Sequence, residues 1–158
     1  MRQSSEGFTL IEVLLYIGLF TLLVGTLLGV AYQTIDSTNQ INKKIVLQQD
    51  AYFVLRKIDW ALTGAQTVSV GPKSSDVAIT RFSNPNTVIF SQNGNFVDIN
   101  SGLGQMDLNS SNTVVSNLTF VKSQTGSAPA EIQVSFNLAN DADLSVSQNF
   151  QLTKYLEQ

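Results

Sequence analysis

Cysteine and histidine are both absent from this 158-residue chain, charged side chains make up only 13%, and proline occurs three times. Each shortage excludes something. Without Cys or His there is no disulfide framework, no cysteine nucleophile, no Ser-His-Asp triad and no structural zinc site. The many Ser and Thr residues therefore lack a base, and neither enzymatic activity nor a cofactor is expected. Lys plus Arg number 9 against 12 Asp plus Glu, a net charge of −3. So few cations cannot neutralise a row of phosphates, which argues against a nucleic-acid partner. The missing cysteines do not fix a compartment. They mean only that any extracytoplasmic part is held by packing, without covalent staples. The length supports one ordinary domain plus an appendage.

What is present is sharply asymmetric. Val13 to Tyr32 is a run of 20 residues without a charge. As a helix it would be about 30 Å long, the thickness of a bilayer core. Residues 64 to 158 have a different texture: 40 of these 95 are Ser, Thr, Asn or Gln, with four basic and seven acidic side chains. That is the composition of a water-soluble β-rich domain with uncharged polar faces.

Between them, Asp36 to Leu62 contains neither Pro nor Gly and reads as more helix. At 100° per residue, Ile41, Ile45, Leu47, Ala51, Tyr52, Val54, Leu55, Ile58 and Leu62 fall in one broad arc, with Asp59 a misfit inside it. Val46, Phe53 and Trp60 form a second, narrower line on roughly the opposite side, flanked by Lys43, Asp50 and Lys57. The broad arc is expected to face its own domain. The second line is either covered by loops of the same chain or touches a neighbouring subunit. Gly64 stands where a helix stop is expected. A continuous rod from Phe8 to Thr63 would be about 80 Å long, too long for the 95-residue remainder to bury. Its front half must lie in lipid or against other such rods.

The remainder reads as an antiparallel meander, giving an α+β class with the helix first and five to seven strands after it. Asp76–Phe82 is a strand, followed by a turn at Asn84-Pro85-Asn86. Thr87–Gln92 and Asn95–Asn100 flank Asn93-Gly94, a strong hairpin signal. Gln105–Asn109 is short. Thr113–Ser123 alternates with a phase slip near Asn117, as a bulge would produce. Ile132 to Leu138 and Leu144 to Leu152 are joined by a turn at Asn140–Asp143.

The chain opens Gly7-Phe8-Thr9-Leu10-Ile11-Glu12, and the apolar run follows at once. This resembles the processing signal of type IV prepilins and type II secretion pseudopilins. The resemblance implies cleavage by a prepilin peptidase between Gly7 and Phe8, N-methylation of Phe8, and retention of Glu12 for assembly. It implies a leader at 1–7, a transmembrane or filament-core half-helix at 8–35, an amphipathic half at 36–63 and a β-rich globular domain at 64–158. The implied partners are other pilin or pseudopilin subunits, the peptidase, an inner-membrane assembly platform and membrane lipid. The implied location is a single-pass inner membrane, β-domain outward, and then a surface filament. The segment Leu47 to Ala65 resembles the second half-helix of minor subunits of the J or W type, with Leu55-Arg56 and Asp59 as the matching residues.

Physical chemistry gives Glu12 a role beside that resemblance. A charge at the centre of an apolar helix costs about 2.5–3.5 kcal/mol, less towards its end, and such groups seek a partner. The α-amino group of Phe8 is a cation made only by cleavage, and it lies within reach of Glu12 of the same or the next subunit. Gly18, Gly25 and Gly29 lie within about 40° of one another, and the last two form a GxxxG pair that allows close helix approach. The same glycines would let the helix unwind locally. The leader departs from the family in carrying Glu6 before Gly7, and the apolar run lacks the family's frequent proline. Flanking charge gives no orientation, because Lys43 and Lys44 lie on the far side. The competing reading is a membrane-anchored or secreted β-rich binding module that does not polymerise, with Gly29-Val30-Ala31 as a weak signal-peptidase site. Asp141 and Asp143 form an oxygen-rich turn of the kind that can bind calcium. Asp98 and Asp107 would pair if their strands adjoin. Asn109 and Asn117 head glycosylation-type triplets. Phe82, Phe96 and Tyr155 are either core or contact residues.

Overall fold

A computed structural model describes residues 9–82, 84–102, 104–124, 126 and 128–156, and for 84–86 the backbone alone. These residues form two compact units, one up to Ile41 and one from Asn42 onward. The helix α1 (Leu10–Leu62, 53 residues) contributes to both.

In the first unit α1 is exposed all round. Leu10, Ile11, Leu14, Leu19, Phe20 and Leu22 are each more than 60% accessible. This helix is long and apolar enough to cross a membrane. Its threonine hydroxyls return to the helix backbone: Thr21 donates to the Ile17 carbonyl at 2.7 Å, Thr26 to Leu23 at 2.8 Å and Thr34 to Val30 at 2.8 Å. Such back-bonding is what allows Thr to sit in an apolar helix without an orphaned donor.

In the second unit α1 buries Leu47, Ala51, Val54, Ile58, Ala61 and Leu62. The spacing of three and four puts these on one stripe. The stripe is narrower than the sequence pattern suggests. Ile41, Ile45 and Tyr52, placed in the same arc by periodicity, are 57%, 43% and 61% exposed. The helix ends as its residues dictate: the Thr63 N–H and hydroxyl both return to the Asp59 carbonyl, and Gly64 takes φ +76°, a left-handed cap that suits glycine.

The strands are β1 (Ala65–Val70), β2 (Val77–Arg81), β3 (Asn84–Asn93), β4 (Phe96–Asn100), β5 (Gln105–Asp107), β6 (Thr113–Ser123), β7 (Glu131–Asn140) and β8 (Asp143–Tyr155). They form two antiparallel sheets, β1-β2-β3-β4-β5 and β6-β7-β8, rather than one continuous meander. Asn93 ends β3 and pairs with Phe96, so the two-residue loop is Gly94-Asn95, one position later than expected; Gly94 takes φ +57°, the positive φ that such a hairpin demands. Asn117 sits at φ 55° where the β6–β7 register shifts between Ser116 and Thr119. The phase slip is therefore a bulge. Asn140 pairs with Asp143 across the β7–β8 turn.

Two expectations need correction. Residues 84–86 are not the turn: Asn84 opens β3 and pairs with Arg81. The ladder is irregular there, and a proline is tolerated in a strand at such a place. The strand β1 was not expected, because its alternation in AQTVSV is weak. Its Val68, paired with Ile79, is nevertheless core.

A single core joins the α1 stripe to Val77, Ile79, Val88, Phe90 and Val97 of the first sheet and to Val115, Phe120, Ile132, Val134, Phe136 and Leu138 of the second. Phe136 and Phe150 stack at 5.8 Å between centroids. Gln92 is one of the side chains that tie the sheets directly. Gln92 of β3 accepts from the Leu118 N–H at 3.1 Å and donates to the Val115 carbonyl at 3.2 Å, filling the opening that the bulge leaves in β6. The fully buried Phe136 has no room to collapse, so Phe136→Ala should cost about 3–5 kcal/mol, read as a shift in the denaturant midpoint of the full chain in detergent.

Candidate functional site

The cleavage residues Gly7 and Phe8 lie outside the described residues. Immediately after them, Thr9 and Glu12 form a reciprocal contact. Glu12 Oε2 accepts from the Thr9 N–H at 2.9 Å and from the Thr9 hydroxyl at 2.8 Å, while the Thr9 carbonyl receives the Glu12 and Val13 amides. This is the glutamate arm of a capping box, Thr-x-x-Glu, closing the first turn of α1. The spacing was present in the sequence and went unread beside the charge-pairing argument. It gives Glu12 a local role independent of any amine.

The three glycines face open space. A Cβ at Gly18, Gly25 or Gly29 would meet no atom within 4 Å. Nothing within the described chain requires glycine at these positions, and α1 is unbroken across all three. Local unwinding is thus not seen here.

The second line on α1 lies at the surface of the second unit. Phe53 and Trp60 are each 46% exposed, and Val46 is half-buried. Cations of the same chain cover part of each ring: Lys57 Nζ lies 5.5 Å from the Phe53 centroid and the Arg81 guanidinium 4.2 Å from that of Trp60. Arg81 is held there by a bond from Nη2 to the Thr63 carbonyl at 3.2 Å. Phe82 and Tyr155 are exposed as well, at 71% and 63%, and Phe96 is half-buried.

The polar residues of the helix anchor it to the sheets. Asp59, the misfit of the apolar arc, receives Lys154 Nζ of β8 at 2.9 Å. Asp50 Oδ2 accepts three bonds, from the Ser110 N–H at 3.0 Å, its hydroxyl at 2.7 Å and the Thr113 hydroxyl at 2.7 Å. Next to it, buried Asn109 accepts from the Val97 N–H at 2.9 Å and donates to the Thr113 carbonyl at 3.0 Å. Its side chain is therefore committed to the fold and closed to glycosylation. Asn117 is exposed at its bulge.

At the β7–β8 turn, Lys43 Nζ reaches Asp143 at 2.8 Å. That bond, with one from Ser145, holds the Asp143 carboxyl below its usual range. The neighbouring Asp141 N–H donates to the Asn112 carbonyl. A cation at this turn would have to displace Lys43. Among the described residues no group of three or more His, Cys, Asp or Glu side chains is placed to hold a metal.

The strands of Asp98 and Asp107 do adjoin, and the two residues are direct cross-strand partners. Asp98 is 1% exposed; its Oδ2 accepts from Gln105 and its Oδ1 has no partner among the described residues. The hydrogen bond with Asp98 raises the Asp107 carboxyl above its usual range, with desolvation and the like charge adding to it. The arrangement is a polar cross-strand pair at the sheet edge.

No family model matches the chain, and neither the curated proteins nor the solved structures contain a match to it.

The two acids pull stability in opposite directions with pH. Asp143 has a lowered folded pKa, so its contribution is present above the unfolded value near 3.8 and is lost as pH falls through the folded one. Asp107 has a raised folded pKa, so the folded state loses stability as pH rises from 3.8 through that value. Asp107→Asn should therefore melt higher than the parent at neutral pH, with the gain vanishing below about pH 4, where Asp107 is protonated anyway. A pair of thermal melts at the two pH values measures it.

Proposed function

We propose that this chain is a minor pilin or pseudopilin. It is made as a single-pass inner-membrane precursor, cut after Gly7, methylated on Phe8 and packed into a type IV pilus-like filament or a type II secretion pseudopilus. The observation that carries this reading is the junction of the Gly7-Phe8-Thr9-Leu10-Ile11-Glu12 sequence to an apolar helix exposed on every side. Burying a Leu, Ile or Phe side chain gains about 1.5–3 kcal/mol. A helix that leaves so many of them uncovered is stable only in lipid or against helices like itself. Minor rather than major status rests on the resemblance of Leu47 to Ala65.

In this reading the helices of the first unit pack together, and Gly18, Gly25 and Gly29, open to approach, set how closely they meet. Val46, Phe53 and Trp60 offer a separate contact on the surface of the second unit. The β-sheets form the filament surface. Glu12 has two jobs that separate in time. In the precursor it caps α1 through Thr9. After cleavage it faces the new α-amino group of Phe8, four residues before it, and an ion pair in apolar surroundings then replaces an isolated charge.

Two variants separate these jobs. Glu12→Gln keeps a capping side chain but no charge, and Glu12→Ala keeps neither. If the charge pair drives assembly, both are processed normally yet both enter sheared filaments at least about tenfold less than the parent, the effect of 1.4 kcal/mol per contact. Normal entry of Glu12→Gln would leave only the cap and would sink the pairing argument. Gly25→Leu with Gly29→Leu should likewise be processed but excluded from filaments. If it assembles normally, the glycine face is not a packing face.

A further inference from the structure

Four strands close the two sheets: β1 and β5 on one, β6 and β8 on the other. An edge strand presents a row of unpaired N–H and C=O groups, and proteins blunt it by shortness, cover, charge or proline. Three of these edges are managed within the fold. β5 is three residues long. Along β6 the outward groups are bonded to the first sheet and its loops: the Val115 N–H to the Asn95 carbonyl at 2.9 Å, the Phe120 N–H to the Ser74 carbonyl at 2.7 Å, and the Leu118 N–H to the Gln92 side chain. On β1 the Val68 carbonyl is taken by Lys122 Nζ at 3.0 Å.

β8 is different. It is 13 residues long and, among the described residues, pairs with β7 alone. The bond from the Leu156 N–H to the Ala130 carbonyl at 2.8 Å fixes the phase of that ladder. In an antiparallel pair the bonded positions alternate, so the even-numbered residues from Gln148 to Lys154 face β7, up to the register shift beyond Ser147. The N–H and C=O groups of Ser147, Asn149, Gln151 and Thr153 then point to the open edge. From Leu144 to Thr153 there is no charge, no Pro and no Gly. The flanking charges are spent inside the unit, Asp143 on Lys43 and Lys154 on Asp59.

We propose that this edge is an interface between two copies of the chain, β8 pairing antiparallel with β8 about a twofold axis at Asn149. The strand is complementary to itself in that register. Ser147 stands opposite Gln151 and Asn149 opposite Asn149, so outward donors meet outward acceptors at these bonded positions. No like charges oppose one another, which is the usual device against such pairing. On the core-facing side Phe150 of one copy lies beside Gln148 of the other. The product is one six-stranded sheet, and the contact is isologous and closes at two copies. It involves only the unit from Asn42 onward and does not depend on processing at Gly7.

The absence of native cysteine makes the test direct. Full-length single-cysteine variants are oxidised mildly in detergent, where copies are not held to one orientation. In a bonded antiparallel pair the facing Cα atoms are about 5.5 Å apart, inside the range a disulfide spans. Asn149→Cys should give a linked dimer. Ser147→Cys alone should not, since two such residues would be about 14 Å apart at 3.4 Å per residue, but mixed with Gln151→Cys it should cross-link. Ser147→Lys with Gln151→Lys sets like charges directly opposite and should lower the dimer fraction about tenfold. Circular dichroism checks that each variant is folded. A folded Asn149→Cys that stays monomeric, cross-linking of Ser147→Cys with itself, or a dimer indifferent to the two lysines would each overturn the proposal.

Discussion

The stripe Leu47, Ala51, Val54, Ile58 and Leu62 is the surface to which both sheets are built. Every strand that contributes to the core contributes to a cluster containing these five side chains. Their burial is worth on the order of 1.5–3 kcal/mol for each large residue. The polar bonds around them, Asp50 to Ser110 and Thr113 and Lys154 to Asp59, fix where along the helix the sheets dock. A half-exposed ion pair such as the last contributes little energy. Its importance is positional, because it places an acid within an otherwise apolar arc.

The first unit obeys the opposite rule. Its helix has the same apolar content and no sheet of its own to cover it. Its hydroxyls are folded back on the backbone and its glycines open onto empty space. A helix long and apolar enough to cross a membrane is thus joined to a domain rich in uncharged polar residues. The proposed filament reading uses both halves.

Much of this was legible from local chemistry. Gly94 marked its hairpin to within one residue, Asn117 its bulge and Gly64 its helix stop, since each needs a positive φ or a phase change visible in a few residues. Two things were misread for the same reason. The Asn84-Pro85-Asn86 triplet has turn chemistry, but the pairing of Arg81 with Asn84 placed the turn earlier. The strand β1 has a poor pattern and is held by its partner β2. The splitting into two sheets, the docking of Asp50 and Asp59, and the pairing of Asp98 with Asp107 depend on residues 9 to 95 positions apart. No short-range pattern carries them. The capping box at Thr9 and Glu12 was fully local and still overlooked, because the resemblance offered Glu12 a more specific role.

The central claim is that the chain is a substrate of prepilin processing, and the N-terminus of the protein from its native membrane decides it most directly. Peptide mass analysis should find a chain beginning at N-methylated Phe8. A chain beginning at Tyr32, or one still carrying residues 1–7, would contradict the account. It would leave a released domain in the first case and a signal-anchored one in the second.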